Sequence, residues 1–177
     1  MKLKFLFLFL CIAFATYNAK AQRLLGISDI NVSVLSEKKG IGGQVAYEKF
    51  IGENNNMSIQ AGIKFLSGKA DLKNSKETVD LNDFTFNIVA KRYFNTNQLF
   101  PYIGAGAFIG YEKIDSKDLK ESILLDRKNT MLYGLQANAG VECFLSFGSL
   151  FVETNPNYDF KLKEFHLAFN AGLKIFF

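Results

Sequence analysis

The segment that decides the fold class reads Met131-Leu132-Tyr133-Gly134-Leu135-Gln136-Ala137-Asn138-Ala139-Gly140-Val141-Glu142-Cys143. Its odd-numbered positions are apolar, and its even-numbered positions after Leu132 are small or polar. A helix would mix these two sets on one face, whereas a β-strand places them on opposite faces. The segment therefore predicts an amphipathic strand that is longer than most strands of globular proteins.

The same alternation recurs along the chain and predicts eight strands. The final strand is the clearest repeat, because residues 165–177 are apolar at every odd-numbered position. Its even-numbered positions include His166, Asn170 and Lys174. The other six segments lie near residues 30–34, 45–48, 57–65, 84–91, 99–111 and 150–153.

The connections between these segments alternate between short and long. Short polar turns are predicted at residues 52–56, 95–98 and 146–148, and the other connections at residues 36–40, 67–81, 112–129 and 159–163. With eight strands, both termini and all three short turns share one end, opposite the long loops. This layout is typical of outer-membrane barrels. We therefore predict an all-β fold, an eight-stranded antiparallel up-and-down transmembrane β-barrel.

A soluble barrel of the lipocalin type would need the reverse orientation, with the apolar set inside. The polar set is rich in Gly, Ala, Ser, Asn and Gln and carries only scattered charges, which suits a narrow lumen better than a solvated surface. Aromatic residues also cluster beside the short turns. As a periplasmic interface girdle we predict Phe50, Tyr93, Phe94, Phe100, Tyr102, Phe144, Phe147, Phe151 and Phe176.

The N-terminus has the three regions of a secretory signal peptide. Lys2 and Lys4 precede an apolar run over residues 5–15, and Ala19-Lys20-Ala21 is a small-x-small cleavage site. The apolar run is too short to span a bilayer as a helix. We predict a signal peptide at residues 1–21 and a barrel domain at residues 22–177, located in the outer membrane and in contact with its lipid.

Removal of residues 1–21 changes the charge balance. Three Lys and no acidic residue are lost, so the count of 21 basic against 17 acidic residues falls to 18 against 17, and the net charge falls from +4 to +1. Such a chain has no basic field for direct nucleic-acid binding. Cys143 becomes the single cysteine, which excludes an internal disulfide.

The strand parity predicts a polar network inside the barrel. Its charged members are Glu48, Lys64, Lys91, Glu142, Glu153 and Lys174. An eight-stranded barrel is only just wide enough to be filled by side chains, so we expect a plugged polar core rather than a channel. Both signs of charge are present, as a buried network requires.

The chain ends on Phe177, after an alternating strand. A terminal aromatic residue is typical of outer-membrane barrels as a class. We therefore predict that Phe177 is an assembly signal and that the barrel assembly machinery is a partner.

Residue types that support chemistry are scarce. His166 is the only histidine, so a nucleophile–His–Asp set could form only around it, with Asp159 or Asp126 as the orienting acid. Gly104, Gly106 and Gly110 lack the spacing of a dinucleotide-binding loop. One His and one Cys without partners at ligand spacing predict no metal site, and no cofactor is expected.

Several short motifs occur in an order that resembles the TraO-type conjugal transfer proteins of conjugative transposons. They are Ala21-Gln22-Arg23, Gly110-Tyr111-Glu112, Leu132-Tyr133-Gly134, Glu142-Cys143-Phe144-Leu145-Ser146, Phe165-His166 and Gly172-Leu173-Lys174-Ile175-Phe176. The resemblance implies a barrel that is a component of conjugative DNA transfer machinery and that contacts other transfer proteins.

The function predicted from the sequence is that of a non-enzymatic outer-membrane barrel of this kind. One alternative is a general small barrel of adhesion or porin-family type without a link to conjugation. A second alternative is a membrane enzyme that acts through its outer loops, with His166 as its catalytic base.

Overall fold

The computed structural model describes residues 28–51, 56–71, 78–94, 99–115, 129–145 and 148–177. The predicted signal peptide lies outside these residues and stays a prediction. Within them no helix is long and apolar enough to cross a membrane. The strands are β1 (Ser28–Glu37), β2 (Gly40–Ile51), β3 (Met57–Asp71), β4 (Thr78–Tyr93), β5 (Leu99–Asp115), β6 (Asn129–Phe144), β7 (Gly148–Asp159) and β8 (Glu164–Phe176).

The eight strands form a closed antiparallel barrel in which each strand pairs with its neighbours in the sequence. The pairing of β1 with β8 closes the sheet, with Asp29 opposite Phe176. Ser28 and Phe177 exchange backbone hydrogen bonds of 3.3 and 3.0 Å, so the two ends of the described chain lie side by side. The predicted eight-stranded barrel is confirmed.

The two ends of the barrel are named after the orientation that the sequence predicts. The periplasmic end carries Ser28, Phe177 and the connections at residues 52–55, 95–98 and 146–147. The outer end carries the connections at residues 38–39, 72–77, 116–128 and 160–163.

Two of the outer connections are shorter than the sequence predicts. The ladder between β3 and β4 continues to Asp71 and Thr78, although residues 67–81 were expected to form a loop. The reason is that polar residues interrupt the alternation in the last pairs of this ladder. Lys69, for example, faces Asp80, and both side chains are exposed. Hydrophobic alternation therefore ends before the hydrogen-bonded sheet does.

Large apolar side chains cover the outer wall of the barrel. Val34, Ile63 and Leu135 are each exposed, as are the odd-numbered apolar residues of β8 at its outer half. The polar set faces the lumen and is buried. A soluble barrel of the lipocalin type would have the opposite arrangement, so that alternative is wrong.

Close strand packing explains one glycine of β5. A Cβ atom on Gly106 would lie 2.0 Å from the carbonyl oxygen of Ile88 on β4, which is far inside van der Waals contact. On Gly43 of β2 the nearest atom to a Cβ would be 3.5 Å away, an ordinary contact. Gly106 therefore permits a close approach of β5 to β4 that no other residue would allow.

Candidate functional site in the lumen

A buried lysine forms the centre of the periplasmic half of the lumen. Lys174 on β8 donates hydrogen bonds of 2.8 Å to Glu48 and 2.8 Å to Glu142, which lie on β2 and β6. It also donates to the hydroxyl of Tyr93 at 2.9 Å. An ammonium group carries three N–H donors, so these three acceptors use all of them.

A second lysine links this centre to another glutamate. The Lys91 ammonium lies 3.6 Å from a carboxylate oxygen of Glu48 and 3.6 Å from one of Glu153. Glu153 accepts hydrogen bonds from four more side chains at 2.9–3.2 Å, namely Tyr102, Asn138, Asn155 and Asn170. We call Glu48, Lys91, Glu142, Glu153 and Lys174 the periplasmic network.

Lys64 is placed apart from the other five residues of the predicted polar network. It pairs with Glu37 at the outer end of the lumen, and its side chain is mostly buried. Three groups that the sequence analysis did not single out join the periplasmic network instead. Ser58 and Ser149 donate to Glu48 and Glu142, and Asp29 lies 4.0 Å from the Lys174 ammonium.

The predicted aromatic girdle is wrong for most of its members. Five of the nine residues are buried inside the barrel: Phe50, Tyr93, Tyr102, Phe144 and Phe151. Two more, Phe100 and Phe176, are partly buried and pack against Phe144 at ring-centre distances of 4.5 and 5.3 Å. Phe94 is exposed, and Phe147 lies outside the described residues.

These inward aromatic rings pack around the periplasmic network. The ring centres of Phe50 and Tyr93 are 5.4 Å apart, and those of Tyr93 and Tyr102 are 5.0 Å apart. The Lys174 ammonium lies within 6 Å of several ring centres, at 5.3 Å from that of Tyr93. Aromatic faces stabilise a desolvated cation, so this aromatic cluster and the network support each other. Together they fill the periplasmic half of the lumen.

A cavity lies in the outer half of the lumen. Its charged lining residues are Glu37, Lys39, Lys64, Asp83 and Asp159. The rest of its lining is both polar and apolar, and includes Phe108, Leu132, Asn157, Leu162 and His166. Because Lys39 and Leu162 belong to connections at the outer end, this outer cavity lies at the mouth of the barrel.

Lys39 crosses this mouth. From the connection between β1 and β2, its ammonium lies 3.4 Å from Glu112 on β5 and 3.6 Å from Glu164 on β8. Glu112 is buried and faces Asp83 in the sheet register. The lysine therefore links opposite parts of the barrel rim.

His166 also lines the outer cavity. Its Nε2 atom lies 3.6 Å from a carboxylate oxygen of Glu164. Of the two acids considered as orienting partners, Asp159 accepts a hydrogen bond from the backbone N–H of Leu162 at 2.6 Å, and Asp126 lies outside the described residues. In the described part of the chain, no three His, Cys, Asp or Glu residues are arranged to hold a metal ion.

Phe177, the predicted assembly signal, is exposed at the periplasmic end. Its ring centre lies 6.3 Å from that of Tyr47 on the outer wall. Cys143 lies at an outward-facing register position on β6 and is half-buried.

Comparison with known proteins agrees with this architecture. The model of the outer membrane protein beta-barrel domain matches residues 7–177. A comparison with curated protein sequences found no match.

Several solved structures share the fold. A major outer membrane protein of Thermus thermophilus is similar with a TM-score of 0.66 and 12% identity, covering 87% of this chain and 100% of that one. Neisserial surface protein A gives a TM-score of 0.55 and 14% identity, with coverage of 85% and 94%. The Yersinia pestis attachment invasion locus protein Ail, in complex with the heparin analogue sucrose octasulfate, gives 0.51 and 16%, with coverage of 86% and 97%. At these identities the likeness shows the fold alone.

Proposed function

The chain belongs to the family of outer membrane protein β-barrel domains, and on this premise we propose that it acts as a non-conducting, non-enzymatic surface component of the outer membrane. The protein is located in that membrane. The observation that carries the proposal is the filled periplasmic half of the lumen, where Lys174 and its two glutamate partners are fully buried.

The lack of conduction follows from the energetics of this half. An ion passing through would have to separate Lys174 from Glu48 and Glu142, and breaking one buried pair costs about 3–5 kcal/mol. It would also have to displace the packed rings of Tyr93 and Tyr102. What the barrel presents to its surroundings is therefore its outer mouth, its outer loops and its lipid-facing wall.

Electrical recording tests this proposal. The purified protein, reconstituted in a planar lipid bilayer, should give no stable conductance steps, whereas a general porin in the same bilayer should give them. Steady ohmic steps from the unmodified protein would contradict the proposal.

We infer further that the partners of this surface belong to conjugative transfer machinery. The support is the ordered set of motifs from Gly110-Tyr111-Glu112 to Phe165-His166 that resembles the TraO-type proteins. The near-neutral charge predicted for the mature chain favours contacts with proteins over contacts with DNA. In this view the barrel contributes structure to the transfer apparatus and carries out no chemistry on DNA.

A mating assay tests the inference. A strain that lacks the protein should transfer its conjugative element less often than the parent, and the intact gene should restore transfer. Transfer at the parental rate would contradict it.

The general barrel of adhesion type is the second candidate, favoured by the fold it shares with Ail. It predicts instead that the deletion strain loses binding to host cells.

A loop replacement tests whether the outer surface is the working part. Residues 115–122 should be replaceable by a short Gly/Ser linker without loss of the folded barrel, because the described strands form their ladders without most of this segment. We expect transfer to fall in this variant. The same replacement at residues 72–77 provides the comparison. Unchanged transfer in both variants would mean that neither of these outer loops is needed for transfer. A single substitution tests the alternative of a membrane enzyme. This alternative is favoured if the His166→Ala variant loses the function that the unmodified protein shows in the same assay.

A further inference from the structure

We propose that the outer cavity binds a small organic cation that carries two ammonium groups joined by a short alkyl chain. The proposal rests on the charge balance of the cavity, on the unpartnered buried oxygens of residues that line it, and on the position of its apolar residues. It does not depend on whether the barrel takes part in DNA transfer.

The charges of the cavity are not balanced. Lys64 pairs with Glu37, and Lys39 pairs with Glu112 beside the cavity and with Glu164 at the rim. Asp83 and Asp159 have no ion-pair partner among the described residues. His166 contributes one further positive charge only when it is protonated, and it lies next to Glu164. Around the cavity and its rim five carboxyl groups therefore face two lysines, and Asp83 and Asp159 are the two that form no ion pair among the described residues.

The same two residues present unpartnered oxygen atoms. Asp83 Oδ1, Asp159 Oδ2 and Asn157 Oδ1 are buried and accept no hydrogen bond within the described structure. The relative exposure of these residues is 8%, 2% and 8%, so each is at least nine-tenths buried. Beside them, Glu112 Oε1 is also without a donor. All four atoms are acceptors that no donor among the described residues reaches. Each ammonium group of a bound cation would supply three N–H donors.

The placement of the two aspartates on separate, non-adjacent strands favours an organic cation over a metal ion. Asp83 lies on β4 and Asp159 on β7, with β5 and β6 between them. A calcium ion needs six to eight oxygens that converge on one point. The described residues contain no such group.

Apolar side chains lie on the two intervening strands. Phe108 on β5 and Leu132 on β6 both line the cavity. An alkyl chain packed against these residues would carry one ammonium toward Asp83 and the other toward Asp159. Burial of its methylene groups would add to the affinity, whereas two separate inorganic cations would gain nothing from this wall.

Calorimetric titration of the purified, folded protein in detergent micelles tests the proposal, with 1,4-diaminobutane as the probe. We expect saturable binding of one molecule per barrel. Butylamine, with one ammonium, should bind about tenfold more weakly or worse, because one charged hydrogen-bonded contact is lost. 1,4-Butanediol has the same chain without charge and should not bind measurably.

Two isosteric variants locate the site. Asp83→Asn and Asp159→Asn should each weaken diamine binding by about tenfold or more. Asp80→Asn is the matched control, since Asp80 lies on the same strand β4 but is exposed on the outer wall. A heat-modifiable shift on a gel shows that each variant is folded. If a variant does not fold, the comparison of the diamine, butylamine and 1,4-butanediol on the unmodified protein still tests the proposal.

Three results would overturn the proposal. They are no saturable binding of the diamine, tighter binding of calcium chloride than of the diamine, and an equal loss of binding in Asp80→Asn. None of them bears on the conductance or mating experiments, so failure here is distinguishable from failure of the proposed function.

Discussion

Replacement of Lys174 by Met removes the central charge of the periplasmic network. Lys174 is fully buried, and its ammonium makes two charged hydrogen bonds of 2.8 Å and one of 2.9 Å to the hydroxyl of Tyr93. Met has a similar length and no charge. The substitution therefore tests the network with little change in packing volume.

The expected loss is large because two buried carboxylates lose their hydrogen bonds to the lysine, and Glu142 is affected more than Glu48. Glu48 keeps the hydrogen bonds from Ser58 and Tyr93, and Lys91 remains 3.6 Å away, whereas Glu142 loses the lysine. Removing one partner of a buried pair costs about 3–5 kcal/mol, since the remaining charge stays desolvated. We expect a decrease of this size in the free energy of unfolding. In the double variant with Glu142→Gln, the cost should fall below the sum of the single costs by about 1–3 kcal/mol.

The measurement is reversible unfolding by urea in phospholipid vesicles, followed by circular dichroism because the chain contains no Trp. Lys49→Met is the control on the outer wall and should change the unfolding free energy by no more than about 0.5 kcal/mol. The reasoning is refuted if Lys174→Met costs less than about 1 kcal/mol. Strict additivity with Glu142→Gln would also refute it, because the two residues would then not interact.

Three further predictions concern the wall and the chain end. Ala137→Arg should cost about 2–4 kcal/mol, as expected for a charge on the lipid face, and nitroxide labels over residues 135–141 should be accessible to oxygen at odd positions only. Gly106→Ala should lower the folded fraction on a heat-modifiability gel, whereas Gly43→Ala should not, because the new Cβ would lie 2.0 Å from a backbone oxygen in the first case and 3.5 Å in the second. Deletion of Phe177 should reduce assembly in cells without affecting export, which fractionation and the same gel would measure; normal folding of the truncated chain would contradict it.

The orientation of each strand could be predicted from the sequence because it depends on local alternation. Side chains two residues apart share a face of a strand, so the inward position of Glu48, Lys91 and Lys174 follows from parity alone. The structure places these residues at 0%, 2% and 0% exposure. No knowledge of the neighbouring strands is needed for this step.

For the aromatic residues, strand parity is a better guide to orientation than closeness to the short turns. Phe50 is two residues from Glu48, and Tyr93 is two residues from Lys91, so each shares the inward face of its charged neighbour. The structure buries both rings in the lumen. The signal that could have found the aromatic cluster was therefore present in the sequence.

The partners within the network could not be predicted in the same way. Lys174 and Glu48 are separated by 126 residues, and parity says only that both point inward. Whether they meet depends on their height in the barrel, which is set by the stagger of all eight strands. That Lys64 pairs with Glu37 at the outer end, and not with the other predicted residues, is a consequence of this stagger.

The two halves of the lumen differ in how their carboxylates are satisfied, and the difference argues for separate roles. The three glutamates of the periplasmic network all accept hydrogen bonds, and Asp29, which accepts none, lies 4.0 Å from the Lys174 ammonium. In the outer half, Asp83 and Asp159 hold unpartnered buried oxygens and no cation, a penalty of about 1–3 kcal/mol for each atom. Selection for stability alone would favour neutral residues there, whereas a binding site tolerates such a penalty because its ligand removes it. The periplasmic half therefore satisfies its glutamates with its own lysines, whereas the outer half keeps acceptors that the proposed diamine would satisfy.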